Sequence, residues 1–189
     1  MGILSFLFGC KASESKKQTV EVDGKKIETV KSENPMSPKY KLTDLTLDQT
    51  NHNKSSLIKF EMINSKYGNK NKTFESQFDA ENIDFILEEW KKDKSNNRVD
   101  QNQLIDILGS AFGQNIVDDL NFEWKIWTDE YGSDITIIDK KIVLNGFPFS
   151  SVYKAIDQNR VGSLNDIKLL LKKNLEDANA GKADYQIRN

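Results

Sequence analysis

The stretch LIDILGSAFGQNIVDDLNFEWKIW, Leu104 to Trp127, changes its hydrophobic period part-way along, and that change decides the fold. In its first part Leu104, Ile107, Leu108, Ala111, Phe112, Ile116 and Leu120 recur at helical spacing over five turns. After Asn121 the period drops to two, with Phe122, Trp124 and Ile126 alternating with Glu123, Lys125 and Trp127. The even positions read as the core face of a strand, and alternation sends Trp127 outward unless a helix or the N-terminal hairpin covers that face. Gly109 and Gly113 lie on one face of the helix, and each costs about 1 kcal/mol of helix propensity relative to alanine. Their position predicts the close approach of another backbone. A phosphate site would need glycines in a loop before a helix instead.

Upstream, Asp79 is placed to N-cap a helix, with Phe78 and Ile83 at the two positions of a hydrophobic staple. Ala80, Ile83, Ile86, Leu87 and Trp90 form its stripe, and it is predicted to end near Lys94 to Asn97. Asp100 with Gln103 resembles a capping box opening the next helix, and the two helices are expected to pair antiparallel. Downstream, residues 122–128, 135–138 and 142–144 read as a three-stranded antiparallel meander, with turns at 129–134 and 139–141. Pro148 starts a helix whose inner face is Val152, Tyr153 and Ile156. Ser163 with Asp166 is predicted to cap a last helix carrying Ile167, Leu170, Leu171 and Leu175, and Gly181 to stop it. The class is α+β, with a main domain over 76–180 and a tail over 181–189.

The rest of the chain is sparser. Residues 1–19 run from apolar to polar, and 20–41 hold a hairpin around Asp23-Gly24 followed by a linker with Pro35 and Pro38. Residues 42–75 read as strands packing on the main domain, ending in a polar turn at 67–72. Charge is unevenly spread: residues 1–75 carry 13 Lys/Arg against 9 Asp/Glu, a net of +4, and residues 76–189 carry 14 against 20, a net of −6. That mild split argues against nucleic-acid binding, which needs a clustered basic face.

The motifs Leu108-Gly-Ser-Ala-Phe-Gly113, Phe122-Glu-Trp124, Asp129-Glu-Tyr-Gly132 and Phe147-Pro-Phe-Ser-Ser-Val-Tyr-Lys154 resemble the bacterial family known as domain of unknown function 3806, over about residues 80–160. The resemblance implies a bacterial origin and supports the fold; it transfers no activity. Members commonly carry an acidic residue after the second glycine, where this chain has Gln114, so a carboxylate role does not carry over to that position.

Catalytic economy is thin. One cysteine, Cys10, and one histidine, His52, leave no disulfide framework, no cysteine zinc site and no Ser-His-Asp arrangement, and His52 reads as an exposed loop residue. Ser150 and Ser151, at a helix start, read as caps. No cofactor is expected. Asp118, Asp119 and Asp129 could in principle converge on Mg²⁺ or Ca²⁺ in a carboxylate-dependent hydrolase, but no calcium-loop spacing is present. Trp127 and Tyr131, beside Asp129, Glu130 and Asp134, form the candidate surface for a protein partner. The expected function is therefore a non-enzymatic protein-binding module, of immunity or accessory type, in the bacterial cytoplasm. A peripheral membrane adaptor is the remaining alternative, touching an anionic surface through Ile3, Leu4, Phe6, Leu7 and Phe8, a run too short to span a bilayer.

Overall fold

The computed structural model describes residues 15–22, 24–32, 39–160 and 162–182. The chain divides into two units, residues 1–39 and 40–189. The apolar run at Ile3 to Phe8 lies outside the described residues, as does the tail from 183.

The first unit holds the predicted hairpin: β1 (Ser15–Val22) pairs antiparallel with β2 (Lys25–Ser32), with Val22 opposite Lys25. Gly24 takes φ +76° in the turn, a conformation open to glycine without steric cost.

The second unit is α+β. Its elements are β3 (Lys41–Thr43), α1 (Leu47–Tyr67), α2 (Ala80–Lys92), α3 (Gln101–Leu120), β4 (Phe122–Asp129), β5 (Gly132–Asp139), β6 (Asn145–Gly146), α4 (Pro148–Asp157) and α5 (Ser163–Asn179). The sheet has the order β3-β4-β5-β6, antiparallel throughout. The predicted meander is present, but its third strand is the short pair at Asn145–Gly146, and a fourth strand from upstream covers the other edge of β4.

Residues 42–75 correct the sequence reading. Apart from β3 they are not strands but α1, a helix of 21 residues. Its buried positions are Asn53, Ser56, Phe60, Ile63 and Tyr67, at helical spacing, but two of the five are polar and the apolar signal is diluted. Its start is a full capping box: the Thr46 hydroxyl accepts from the Gln49 amide at 3.3 Å, and the Gln49 side chain accepts from the Thr46 amide at 2.9 Å. His52 therefore sits on a helix, 3.6 Å from Asp106, rather than in a loop.

α3 is the centre of the unit. Leu104, Ile107, Leu108, Ala111, Phe112 and Ile116 are almost fully buried, and α3 packs against α1, α4 and β4. α2, its expected partner, packs mainly on α5 and α1. Asp100 caps α3 as predicted, accepting from the amides of Asn102 (2.9 Å) and Gln103 (3.1 Å). The glycines are a packing seam, but for rings rather than another backbone. A methyl group on Gly113 would stand 2.1 Å from Trp124 Cη2 and 2.9 Å from Pro148 Cγ, and one on Gly109 would stand 2.5 Å from Phe149 Cδ1.

The last helix begins differently from expectation. Gly162, at φ +68°, is the N-cap, and Ser163 lies inside the helix with its hydroxyl unbonded. The cap comes from a distant residue: buried Asp84 on α2 accepts from the amides of Leu164 (3.1 Å) and Asn165 (2.9 Å). A carboxylate at a helix N-terminus satisfies free amides and complements the helix dipole. Gly181, at φ +65°, ends α5 as predicted.

Candidate functional site

The β4–β5 tip is a turn whose polar side chains brace one another around an exposed tyrosine. Asp129 pairs with Gly132, which leaves Glu130 and Tyr131 as a two-residue loop, and Gly132 takes φ +131° to close it. The Asp129 carboxylate fixes the loop from inside. One oxygen accepts from the Tyr131 amide at 2.8 Å, and the other accepts from the Trp127 indole N–H at 2.9 Å. Just below, the Thr128 and Ser133 hydroxyls share a hydrogen bond of 2.8 Å across the strands. Asp134 accepts from the Ser150 hydroxyl at 3.0 Å, which ties the tip to the start of α4. The result is a braced turn with Tyr131 66% exposed at its end, and Tyr153 on α4 50% exposed. Asp129, Glu130 and Asp134 give this end of the sheet three carboxylates in six residues.

Trp127 requires a correction. Alternation pointed it to solvent, yet it is only 7% exposed. Tyr40, just before β3, stacks on it at 4.0 Å with the rings 12° apart, and Phe147 meets its edge at 6.4 Å. Strands were expected over 42–75, but the pairing of β3 with β4 was not, so neither was the side chain it carries over β4. Trp127 is thus a brace for the tip rather than part of its surface. Trp124, assigned to the core, is the less buried of the two; its ring lies on Gly113 and its indole N–H donates to Gln114 at 3.3 Å.

The carboxylates proposed for a metal are not brought together. Asp118 and Asp119 end α3, where Asp118 accepts from Gln114 at 2.7 Å and Asp119 pairs with Lys168. Asp129 stands at the far end of β4, a strand roughly 23 Å long at the rise of an extended chain. Among the described residues no group of three His, Cys, Asp or Glu side chains is placed to hold a metal ion. Among the same residues no helix is long and apolar enough to cross a membrane.

A second concave place, missed because α1 was read as strands, lies where α1 ends. The groove, of about 480 Å³, is lined by Lys66, Tyr67, Phe85, Lys92 and Asp93 among others. Asp93 is its hub, accepting from the Ser95 amide at 2.8 Å and the Tyr67 hydroxyl at 2.6 Å, with Lys66 at 3.1 Å. Hydrogen bonds from Ser95, then from Tyr67 and Lys66, hold its carboxyl far below the usual range. The lysines are engaged internally: Lys66 also donates to the Asn97 carbonyl at 2.6 Å, Lys70 to the Asn64 carbonyl at 2.9 Å, and Lys92 to Glu89 at 2.7 Å. The groove therefore turns its polar groups on one another. The tip also engages Asp129 and Asp134 internally, but it leaves the Tyr131 side chain exposed.

Residues 79–166 match the family model described as Domain of unknown function (DUF3806). The matched span runs from the α2 cap to the first turn of α5, so it contains the glycine seam, Asp84 and the braced tip, while β3 and α1 lie outside it. The resemblance expected from the spaced motifs is thus present. No curated protein and no solved structure matches the chain.

Proposed function

We propose that this protein is a non-enzymatic protein-binding module, of immunity or accessory type, that engages its partner through the β4–β5 tip. The observation that carries the reading is Tyr131, 66% exposed on a turn locked by Asp129. A tyrosine is an amphipathic anchor with little side-chain freedom to lose, and locking the turn beforehand lowers the ordering cost of binding. The neighbouring carboxylates suit a partner with a basic patch, which would speed encounter and make binding salt-sensitive. Action in the bacterial cytosol belongs to the same proposal, the bacterial origin resting on the family resemblance.

Affinity capture from cells of origin, wild type against Tyr131→Ala, tests it. The expected result is a captured protein whose affinity for the variant falls at least about tenfold, the loss of a binding hot spot, and weakens further with salt. Equal capture by both forms would overturn the tip as the site. A dose-dependent rise in melting temperature with Mg²⁺ or Ca²⁺ would count for the metal-dependent hydrolase instead.

A further inference from the structure

The outer face of α1 carries apolar side chains that the described residues leave uncovered. Ile58 is 78% exposed, Leu47 74% and Met62 56%. At 3.6 residues per turn these three share the side opposite Asn53, Phe60 and Tyr67, which turn into the domain. Charges flank the stripe in a pattern that has a centre. Lys54 and Glu61 lie two turns apart along one flank, and Asp48 and Lys66 five turns apart along the other. The two midpoints fall within a residue of each other, beside Leu57 and Ile58, and an exposed lysine, Lys59, shares the second flank.

We propose that this face of α1 binds a second copy of the chain, the two α1 helices lying antiparallel about a two-fold axis beside Ile58. Such an axis maps each flank of the helix onto the same flank of the other copy, running the opposite way. Lys54 then faces Glu61 of the second copy, twice over, and Asp48 faces Lys66. Ile58 packs beside its own copy at the centre. Neither Lys54 nor Glu61 has an ion-pair partner among the described residues, so both are free for this contact. Lys66 already pairs with Asp93 at 3.1 Å, so Lys54–Glu61 is the stronger of the two contacts. A parallel two-fold would instead set the Lys54–Glu61 flank beside the opposite flank at equal height, where Lys54 does not meet Glu61. The stripe lies outside residues 79–166, so the contact belongs to the part of this chain that the family match does not reach. One helix face is a small interface, and it fits weak self-association, on the order of 10⁻⁵ to 10⁻³ M.

Sedimentation equilibrium of the full chain over that range should show the mass rising from one chain toward two. Ile58→Lys and Lys54→Glu should each weaken association at least tenfold, and the swap Lys54→Glu with Glu61→Lys should restore it. With Cys10→Ser as background, Ile58→Cys should form an intermolecular disulfide under mild oxidation. Leu47→Cys should not, because antiparallel helices hold the two copies of that position about 30 Å apart. A single-chain mass at every concentration overturns the proposal. So does a dimer indifferent to these substitutions, or one that cross-links as readily at position 47. Tyr131→Ala should leave the mass unchanged, which separates this contact from the tip.

Discussion

Helices α1 and α3 pack against each other and are nearly equal in length, 21 and 20 residues, yet they are built on opposite rules. α3 is enclosed by α1, α4 and the sheet, and from Ile107 to Gly113 every residue is buried. α1 has one inward stripe, part polar, and places Ile58 and Met62 on its outer side. An enclosed helix must shrink where neighbours press, which explains Gly109 and Gly113. A helix on the outside has space, and its sequence is free to serve something else.

The largest break in that contrast comes from adding one methyl group to α3. Gly113→Ala puts a carbon within 2.1 Å of the Trp124 ring and 2.9 Å of Pro148. Overpacking of this kind is expected to cost about 3 kcal/mol, which at roughly 2–4 °C per kcal/mol for a chain of this size lowers the melting temperature by about 6–12 °C. Thermal unfolding followed by circular dichroism measures it. An unchanged melting temperature would mean that the seam is loose and that the two helices are not under different constraint.

A smaller effect sharpens the comparison at the line where the helices meet. Ser110 on α3 donates to Asn53 on α1 at 3.3 Å, both side chains buried. Ser110→Ala alone strands the asparagine and is expected to cost about 1–2 kcal/mol. Adding Asn53→Leu removes the stranded group, so the double variant should return to within about 0.5 kcal/mol of wild type. Urea midpoints of the four proteins complete the cycle, and simple additivity of the two changes would show that the pair does not couple the helices.

The same pair explains what the sequence could and could not show. Apolar period made α2, α3, β4 and β5 legible, along with the caps at Asp79 and Asp100, because their large apolar side chains keep to the core-facing positions even where Asp84, Ser110 or Thr136 is buried beside them. It failed on α1 because Asn53 and Ser56 occupy inward positions while Leu47, Ile58 and Met62 point out, so the apolar residues do not mark the buried face. A local signal was present all the same: Thr46-x-x-Gln49 has the form of a capping box. Two other features had no local signal. Asp84 caps α5 from 80 residues away, and Tyr40 covers Trp127 only because β3 pairs with β4. At the candidate site the turn itself was legible from Asp129 and Gly132. The division of its aromatics into the braced Trp127 and the exposed Tyr131 was not, because it depends on which strand β3 pairs with.

The smallest expected effect lies at the end of α1, where the helix is anchored through Asp93. Bonds from Ser95, Tyr67 and Lys66 stabilise the ionised carboxylate and depress its folded-state pKa. The unfolded chain binds a proton at this group near the ordinary value of about 3.9. In that window the unfolded state holds more protons than the folded one, so stability rises with pH there. The contribution is complete above about pH 4.5 and is lost as the pH falls through 3.9 toward the folded-state value. Asp93→Asn cannot titrate and lacks it throughout. The gap between wild type and Asp93→Asn, read as the difference in urea midpoint, should therefore be constant from pH 7 to about 4.5 and narrow steadily below that. Taking the difference cancels the other carboxylates, which titrate alike in both proteins. A gap that stays constant down to pH 2 would mean that Asp93 anchors α1 by hydrogen bonds its neutral form makes equally well, and the exposed helix would then owe nothing at that end to charge.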